Sequence, residues 1–120
     1  MILRVLIEKT VGKHCTSIDD GEKVFELVSP EIAKNLTVEV DFKRVKSMLT
    51  PFLNAFFGKL LEHYGKEKIM ANVAIRNASV DFLRRINEFI DRKDKEYTQS
   101  SEEEILQELF DEDGLTDASA

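Results

Sequence analysis

The chain has 120 residues, of which 42% are hydrophobic and 33% are charged. This length suits one compact domain, and the apolar content is sufficient for a core, which excludes a wholly disordered chain. No apolar run approaches the roughly 20 residues that a membrane-spanning helix requires, and the first residues become charged too early for a signal peptide. We therefore expect a cytoplasmic protein that does not enter a membrane.

The formal net charge of -6 is divided unevenly along the chain. Residues 1–96 hold all 17 Lys and Arg and 15 of the 23 Asp and Glu, a balance of +2, whereas residues 97–120 hold 8 acids and no base. We expect a globular domain over 1–96 and an acidic tail over 97–120. A Ser101-x-x-Glu104 capping box predicts a short amphipathic helix in the tail. That helix either packs on its own domain, binds a partner or frays, and its contact residues would be Ile105, Leu106, Leu109 and Phe110.

The first half of the domain predicts two strands and one helix. Residues 2–7 predict a strand that is buried on both faces, and residues 37–42 predict a second strand because they alternate and are rich in β-branched residues. Between them, residues 19–34 predict a helix with apolar positions at helical spacing: Val24, Leu27, Val28 and Ile32. Pro30 is expected to kink or divide this helix near Val28, and Asn35 to close it.

The second half predicts a long aromatic helix, a third strand and a further helix. The helix begins at Pro51 with Thr50 as its N-cap, and it ends at Gly65. Residues 68–75 predict the strand, and Ser79 is expected to cap a helix that turns apolar residues inward: Phe82, Leu83, Ile86, Phe89 and Ile90.

The resulting β-α-β-α-β-α order indicates an α/β fold with a small, mostly parallel sheet. A further strand within residues 8–18, or a second chain, would complete the exposed edge of that sheet.

No sequence motif indicates catalysis. The chain lacks the glycine-rich patterns of nucleotide and dinucleotide sites and the serine-hydrolase elbow. Its single cysteine, Cys15, excludes an internal disulfide, and we interpret the His14-Cys15 pair as loop residues rather than a nucleophile and its base. We predict no enzyme activity, no cofactor and no metal. The balance of +2 over residues 1–96 is too small for a nucleic-acid-binding surface.

The segment from Val38 to Leu61 carries a recognisable pattern. A strand that ends in Asp41-Phe42 is followed by a short connection, a Ser/Thr-containing turn and a helix with Phe, a small residue and Gly58-Lys-Leu. This arrangement resembles the STAS-like family of unknown function, whose bacterial and phage members are similar to the STAS domains of anti-sigma factor antagonists. The resemblance extends over about residues 18–92 and implies a STAS-like fold.

The resemblance also implies a switch in the turn before the long helix. Anti-sigma factor antagonists carry Asp-Ser-Ser-Gly there, and a kinase-like ATPase phosphorylates its serine. This chain has Leu49-Thr50-Pro51-Phe52, which leaves Thr50 and Ser47 as the candidate phosphoacceptors. A phosphate at a helix N-terminus would meet free N–H groups and the favourable end of the helix dipole. The alternatives are that Thr50 only caps the helix and that Asp41 only accepts from nearby backbone N–H groups.

We interpret the chain as a non-enzymatic regulatory module that binds another protein, and the resemblance implies a kinase-like ATPase as that partner. The contact surface is expected around the turn and the long helix, at Asp41, Pro51, Phe52, Asn54 and Phe57. One alternative is a small-ligand or nucleotide-binding domain, or a minor enzyme, with its pocket at the carboxyl ends of the strands, lined by Asp41, Thr50 and Asn77. Another is a homodimer or larger homo-oligomer with a structural role.

Overall fold

A computed structural model describes residues 2–96 of the chain. Its strands are β1 Leu3–Leu6, β2 His14–Cys15, β3 Val38–Asp41, β4 Ser47–Met48 and β5 Val73–Arg76. Its helices are α1 Ile7–Val11, α2 Ile18–Ala33, α3 Thr50–Leu53, α4 Lys59–Tyr64, α5 Lys66–Asn72 and α6 over 80–96. A π-helical turn, Asn54–Gly58, joins α3 to α4, and we call the continuous helical stretch 50–64 the aromatic helix. The predicted acidic helix and its apolar residues lie outside the described part of the chain.

The main sheet is parallel, with β3 between β1 and β5. The register aligns Val5 with Val40 and Ile75, which face the core. The expected mostly parallel sheet is therefore confirmed. The additional strand expected within residues 8–18 is β2, but it pairs with β4 in a separate two-stranded sheet and does not extend the main one.

The other face of the main sheet is polar and open. Glu39 on β3 forms ion pairs with Arg4 at 2.9 Å and with Arg76 at 3.7 Å, and both arginine side chains are 53% exposed. The prediction that residues 2–7 are buried on both faces is wrong, because β1 is an edge strand whose Arg4 points to this open face.

Helix α2 begins one residue before the predicted start, and Ser17 Oγ accepts from the Asp20 N–H as its N-cap. Pro30 lies inside one continuous helix, so the prediction that it divides the helix near Val28 is wrong. Val28 and Ile32 are buried on either side of the proline, and their packing outweighs the loss of one helical hydrogen bond. Leu27 was expected on the buried face, yet it is 46% exposed.

The predicted strand over 68–75 is partly wrong. Residues 68–72 belong to α5, and only 73–76 form the strand β5. Lys-Glu-Lys-Ile-Met-Ala is a run of good helix formers, of which Ile69 alone is buried. Helix α6 begins as predicted, with Ser79 Oγ accepting from the Phe82 N–H. Its Ile86, Phe89 and Ile90 join the core, whereas Leu83 is 37% exposed. No helix among the described residues combines the length and apolar character needed to cross a bilayer.

Candidate functional site

The carboxyl ends of β1 and β3 open onto a cavity of about 340 Å³, which we call the strand-end cavity. Ligands of open α/β sheets usually bind at this edge. The polar residues that line it and bear on its chemistry are Arg4, Lys9, Asp41, Lys43, Arg44 and Asn77. Arg44 and Asn77 adopt the left-handed conformation, with φ of 67° and 56°. That conformation is uncommon for residues other than glycine.

Asp41 anchors one wall of this cavity and is 3% exposed. Its Oδ1 accepts from the Lys43 N–H at 2.8 Å, and the Asn77 amide donates to Oδ1 at 3.0 Å and to Oδ2 at 3.1 Å. Burial by itself raises the pKa of the carboxyl group. The hydrogen bonds from Asn77 and Lys43, together with the nearby charges of Arg4 and Lys43, outweigh burial and hold its pKa below the usual value.

This arrangement makes Asp41 a source of stability that depends on pH. Because its pKa is lower in the folded than in the unfolded chain, ionised Asp41 stabilises the fold above about pH 4, and this contribution is lost as the pH falls through the folded-state pKa. We expect Asp41→Asn to cost about 1–3 kcal/mol at neutral pH, since an amide supplies one acceptor oxygen in place of two. Urea unfolding of the full chain and the variant at stepped pH measures the difference. The difference should shrink in acid, and a constant difference down to about pH 2 would contradict this account.

The turn between β4 and the aromatic helix differs from its prediction. Leu49 occupies the N-cap position, and Thr50 is the first helical residue, so the expectation that Thr50 caps the helix is wrong. Thr50 is exposed, and no side-chain hydrogen bond caps the start of this helix. Thr50 instead lines a small cavity of about 160 Å³ together with Arg85, Glu88 and Arg92 of α6. Arg85 also donates to the Met48 carbonyl, which ties α6 to the strand before this turn.

Ser47, the other candidate phosphoacceptor, is half-buried on β4. Its Oγ lies 2.8 Å from His14 Nδ1 on the paired strand β2. The neighbouring Cys15 is fully buried, and desolvation, followed by the charge of Asp20, raises the pKa of its thiol to about 12. Such a thiol is a poor nucleophile. His14 and Cys15 lie in β2 rather than in a loop, and His14 contacts Ser47 rather than its sequence neighbour.

A third concavity lies where the start of α2 meets the aromatic helix. We call it the Ile18–Pro51 groove; its volume is about 320 Å³, and it is lined by Ile18, Glu22, Pro51, Asn54, Ala55 and Lys59. Ile18 is 57% exposed. Lys59 and Glu22 form an ion pair of 3.3 Å at the groove.

Glycine at position 21 allows the two helices to approach each other beside this groove. A Cβ on Gly21 would lie 2.6 Å from the Ala55 Cβ and 2.7 Å from the Phe52 carbonyl oxygen. The groove therefore depends on a contact that no larger residue could make without a shift of the backbone.

Three of the five residues predicted to face a partner are buried: Asp41, which is 3% exposed, and two phenylalanines of the aromatic helix. Phe52 and Phe57 are both 0% exposed, and so is Phe56, which lies between them in space. The predicted exposure of the two phenylalanines is wrong because α2 packs against the aromatic helix, and both rings belong to one buried cluster with residues of the sheet and α6. Pro51 and Asn54 are exposed, as the prediction requires.

The predicted residues thus fall into separate places. Asp41 and Asn77 share the strand-end cavity, but Thr50 lines the cavity of Arg85 and Arg92, so the three do not form the single pocket expected from sequence. Sequence reasoning missed Ile18, Arg85 and Arg92 at these sites. An apolar residue directly after the N-cap Ser17 was the available signal for Ile18. No cluster of His, Cys, Asp and Glu within residues 2–96 could hold a metal ion.

Comparison with known proteins adds one finding. Residues 20–82 match the family model described as a STAS-like domain of unknown function (DUF4325). The matched range includes α2 from residue 20 onward, β3, the aromatic helix and β5, together with Thr50, Pro51 and Asn54. No curated protein and no solved structure matches the chain.

Proposed function

Because the chain belongs to the STAS-like family of unknown function, we propose that it is a non-enzymatic regulatory module that acts by binding another protein. The observation that carries the proposal is the Ile18–Pro51 groove, in which apolar side chains of two different helices are open to solvent. A partner side chain placed there would bury Ile18 and Pro51 together. A compact site of this kind supplies most of the affinity in many protein interfaces.

The local backbone supports the choice of this surface. Asn54 and Ala55, which line the groove, lie in the π-helical turn of the aromatic helix. Single π-helical turns occur frequently at functional sites. The ion pair between Glu22 and Lys59 adds polar groups at the groove that a partner could engage.

A phosphate-controlled switch at Thr50 is the second part of the proposal. The Thr50 hydroxyl is exposed and is not used as a cap, which leaves it accessible to a kinase-like ATPase. A phosphate on it would lie near the guanidinium groups of Arg85 and Arg92, the chemistry that commonly holds phosphorylated residues. Ser47 is the less accessible alternative because it is half-buried against His14. The added negative charge would lie one residue from Pro51 and would change what the groove binds.

Affinity capture from the native host lysate with the full-length chain tests this proposal. We expect a specific partner to be lost when a charge is placed in the groove by Ile18→Glu or Asn54→Arg, because a buried unpaired charge is costly. Leu27→Glu is the matched control, since Leu27 is similarly exposed on α2 but does not line the groove. Mass spectrometry of the captured chain would locate a phosphate on Thr50 or Ser47.

The outcomes separate the two parts of the proposal. Capture that is unaffected by Ile18→Glu and Asn54→Arg would exclude the groove as the contact surface. Capture that depends on the groove without any phosphate on Thr50 or Ser47 would contradict the switch and leave constitutive binding. Capture of a kinase-like ATPase, with phosphate on Thr50 and weaker binding by Thr50→Glu, would support both parts.

A further inference from the structure

We propose that the strand-end cavity binds a small phosphate monoester that carries hydroxyl groups, of the sugar phosphate class. Lys9, Lys43 and Arg44 would hold the phosphate, and Asp41 would accept a hydrogen bond from a hydroxyl group. This inference goes beyond the proposed protein-binding role, since none of the residues that line the cavity lines the Ile18–Pro51 groove.

The cavity has the size and the position of a small-molecule site. Its volume of about 340 Å³ falls at the lower end of the range for small-molecule sites. It lies at the carboxyl ends of adjacent parallel strands, where the backbone turns away and leaves space for a ligand. A compact ligand of this class suits such a volume better than a dinucleotide does.

The charged side chains around the cavity are mostly cationic. Four cationic side chains line it, against the carboxylates of Glu8 and Asp41, in a chain whose net charge is -6. Within residues 2–96, Arg4 is paired with Glu39, whereas Lys9, Lys43 and Arg44 take part in no ion pair. The lining therefore has two more cations than carboxylates, an excess that matches the charge of a phosphate monoester.

Asp41 has a lone-pair position left that could accept a further hydrogen bond. A carboxylate offers about four lone-pair positions, and the structure gives Asp41 three hydrogen bonds, two of them on Oδ1. Oδ2 accepts only from Asn77, and Arg4 is 3.9 Å away from it. A sugar hydroxyl group of the ligand could donate to Oδ2. Inorganic phosphate carries no sugar hydroxyl group and is less able to make this contact.

The backbone at Arg44 adopts the left-handed conformation. A residue with a long side chain at φ 67° is strained, and such strain is concentrated at functional sites. Glycine would relieve it. Arginine at this position contributes a positive charge to the cavity that glycine could not supply.

Calorimetric titration of the full-length chain with ribose 5-phosphate, inorganic phosphate and ribose tests the proposal. We expect saturable binding of ribose 5-phosphate, weaker binding of inorganic phosphate and none of ribose. The double variant Lys9→Gln, Lys43→Gln should weaken the binding of ribose 5-phosphate about tenfold or more, because it removes two charge-assisted donors. The matched control Lys13→Gln, Lys46→Gln makes the same change in net charge with exposed lysines outside the cavity, and it should leave affinity within about twofold.

The Arg44→Gly variant separates a loss of ligand affinity from a loss of stability. This variant should melt at a temperature no lower than the original chain while its affinity for ribose 5-phosphate falls. The proposal is overturned if ribose 5-phosphate shows no saturable binding at millimolar concentration, or if both double variants lose affinity equally. It is also overturned if ribose 5-phosphate binds no more tightly than inorganic phosphate, or if Arg44→Gly lowers the melting temperature and leaves affinity unchanged.

Discussion

Phe57→Ala is expected to lower the free energy of unfolding by about 3–5 kcal/mol, which would leave a domain of this size barely folded. Phe57 is 0% exposed, and its ring centroid lies 4.4 Å from that of Phe56. Alanine removes the ring and leaves a cavity that the π-helical turn around it cannot easily close. Urea unfolding of the full chain, followed by circular dichroism, measures the loss.

Leu49→Ala provides the comparison for Phe57. Leu49 belongs to the same region, is 49% exposed and should change the free energy of unfolding by no more than about 0.5 kcal/mol. A Phe57→Ala variant as stable as Leu49→Ala would mean that the ring is on the surface, as the sequence alone predicted. The two variants thus distinguish a buried position in the aromatic helix from an exposed position directly before it.

Gly21→Ala is the second substitution with a large expected effect, a loss of about 3 kcal/mol. Alanine is normally the better residue inside a helix by about 1 kcal/mol, so propensity alone predicts the opposite sign. The added Cβ would approach the Phe52 carbonyl oxygen to 2.7 Å, and a backbone atom cannot turn aside as a flexible side chain can. Helix α2 would have to move away from the aromatic helix.

Gly58→Ala is the matched control, because Gly58 is also buried in a helical segment. There the nearest atom to an added Cβ is Phe89 Cζ at 3.7 Å, which is ordinary contact. We expect no loss of stability, or a gain of up to about 1 kcal/mol, in the same unfolding experiment. Equal effects of Gly21→Ala and Gly58→Ala would show that the close contact at Gly21 is not essential.

The boundaries that were predicted well are those set by local chemistry. Ser79 caps α6 and Gly65 ends the aromatic helix with φ 82°, both as predicted, and α2 begins one residue before its predicted start. A hydroxyl at a helix start and a glycine in a left-handed turn act through atoms a few residues away, so the sequence records them. The wrong prediction of a strand at 68–72 has a local cause as well. The apolar pair Ile69 and Met70 is compatible with a strand, but the residues around it are good helix formers.

The candidate site was predicted less well than the fold. Pro51 and Asn54 line the Ile18–Pro51 groove, whereas the sequence joined Asp41 and Asn77 of the strand-end cavity to Thr50 in a single pocket. These surfaces take side chains from elements far apart in the chain. The groove needs Ile18 of α2, and the cavity beside Thr50 needs Arg85 and Arg92 of α6.

Hydrophobic spacing was enough to predict the alternation of strands and helices and the parallel sheet, because spacing reports local elements and a parallel sheet follows from their alternation. The pattern of residues 38–61 was enough to predict the family. The burial of Phe57, the exposure of Ile18 and the four cationic side chains of the strand-end cavity became visible in the tertiary structure alone. Spacing tells which side of a helix is apolar, but not how much of that side other elements cover. Coverage depends on contacts between residues distant in the chain, such as that of Gly21 with Phe52, and these arise only when the elements pack.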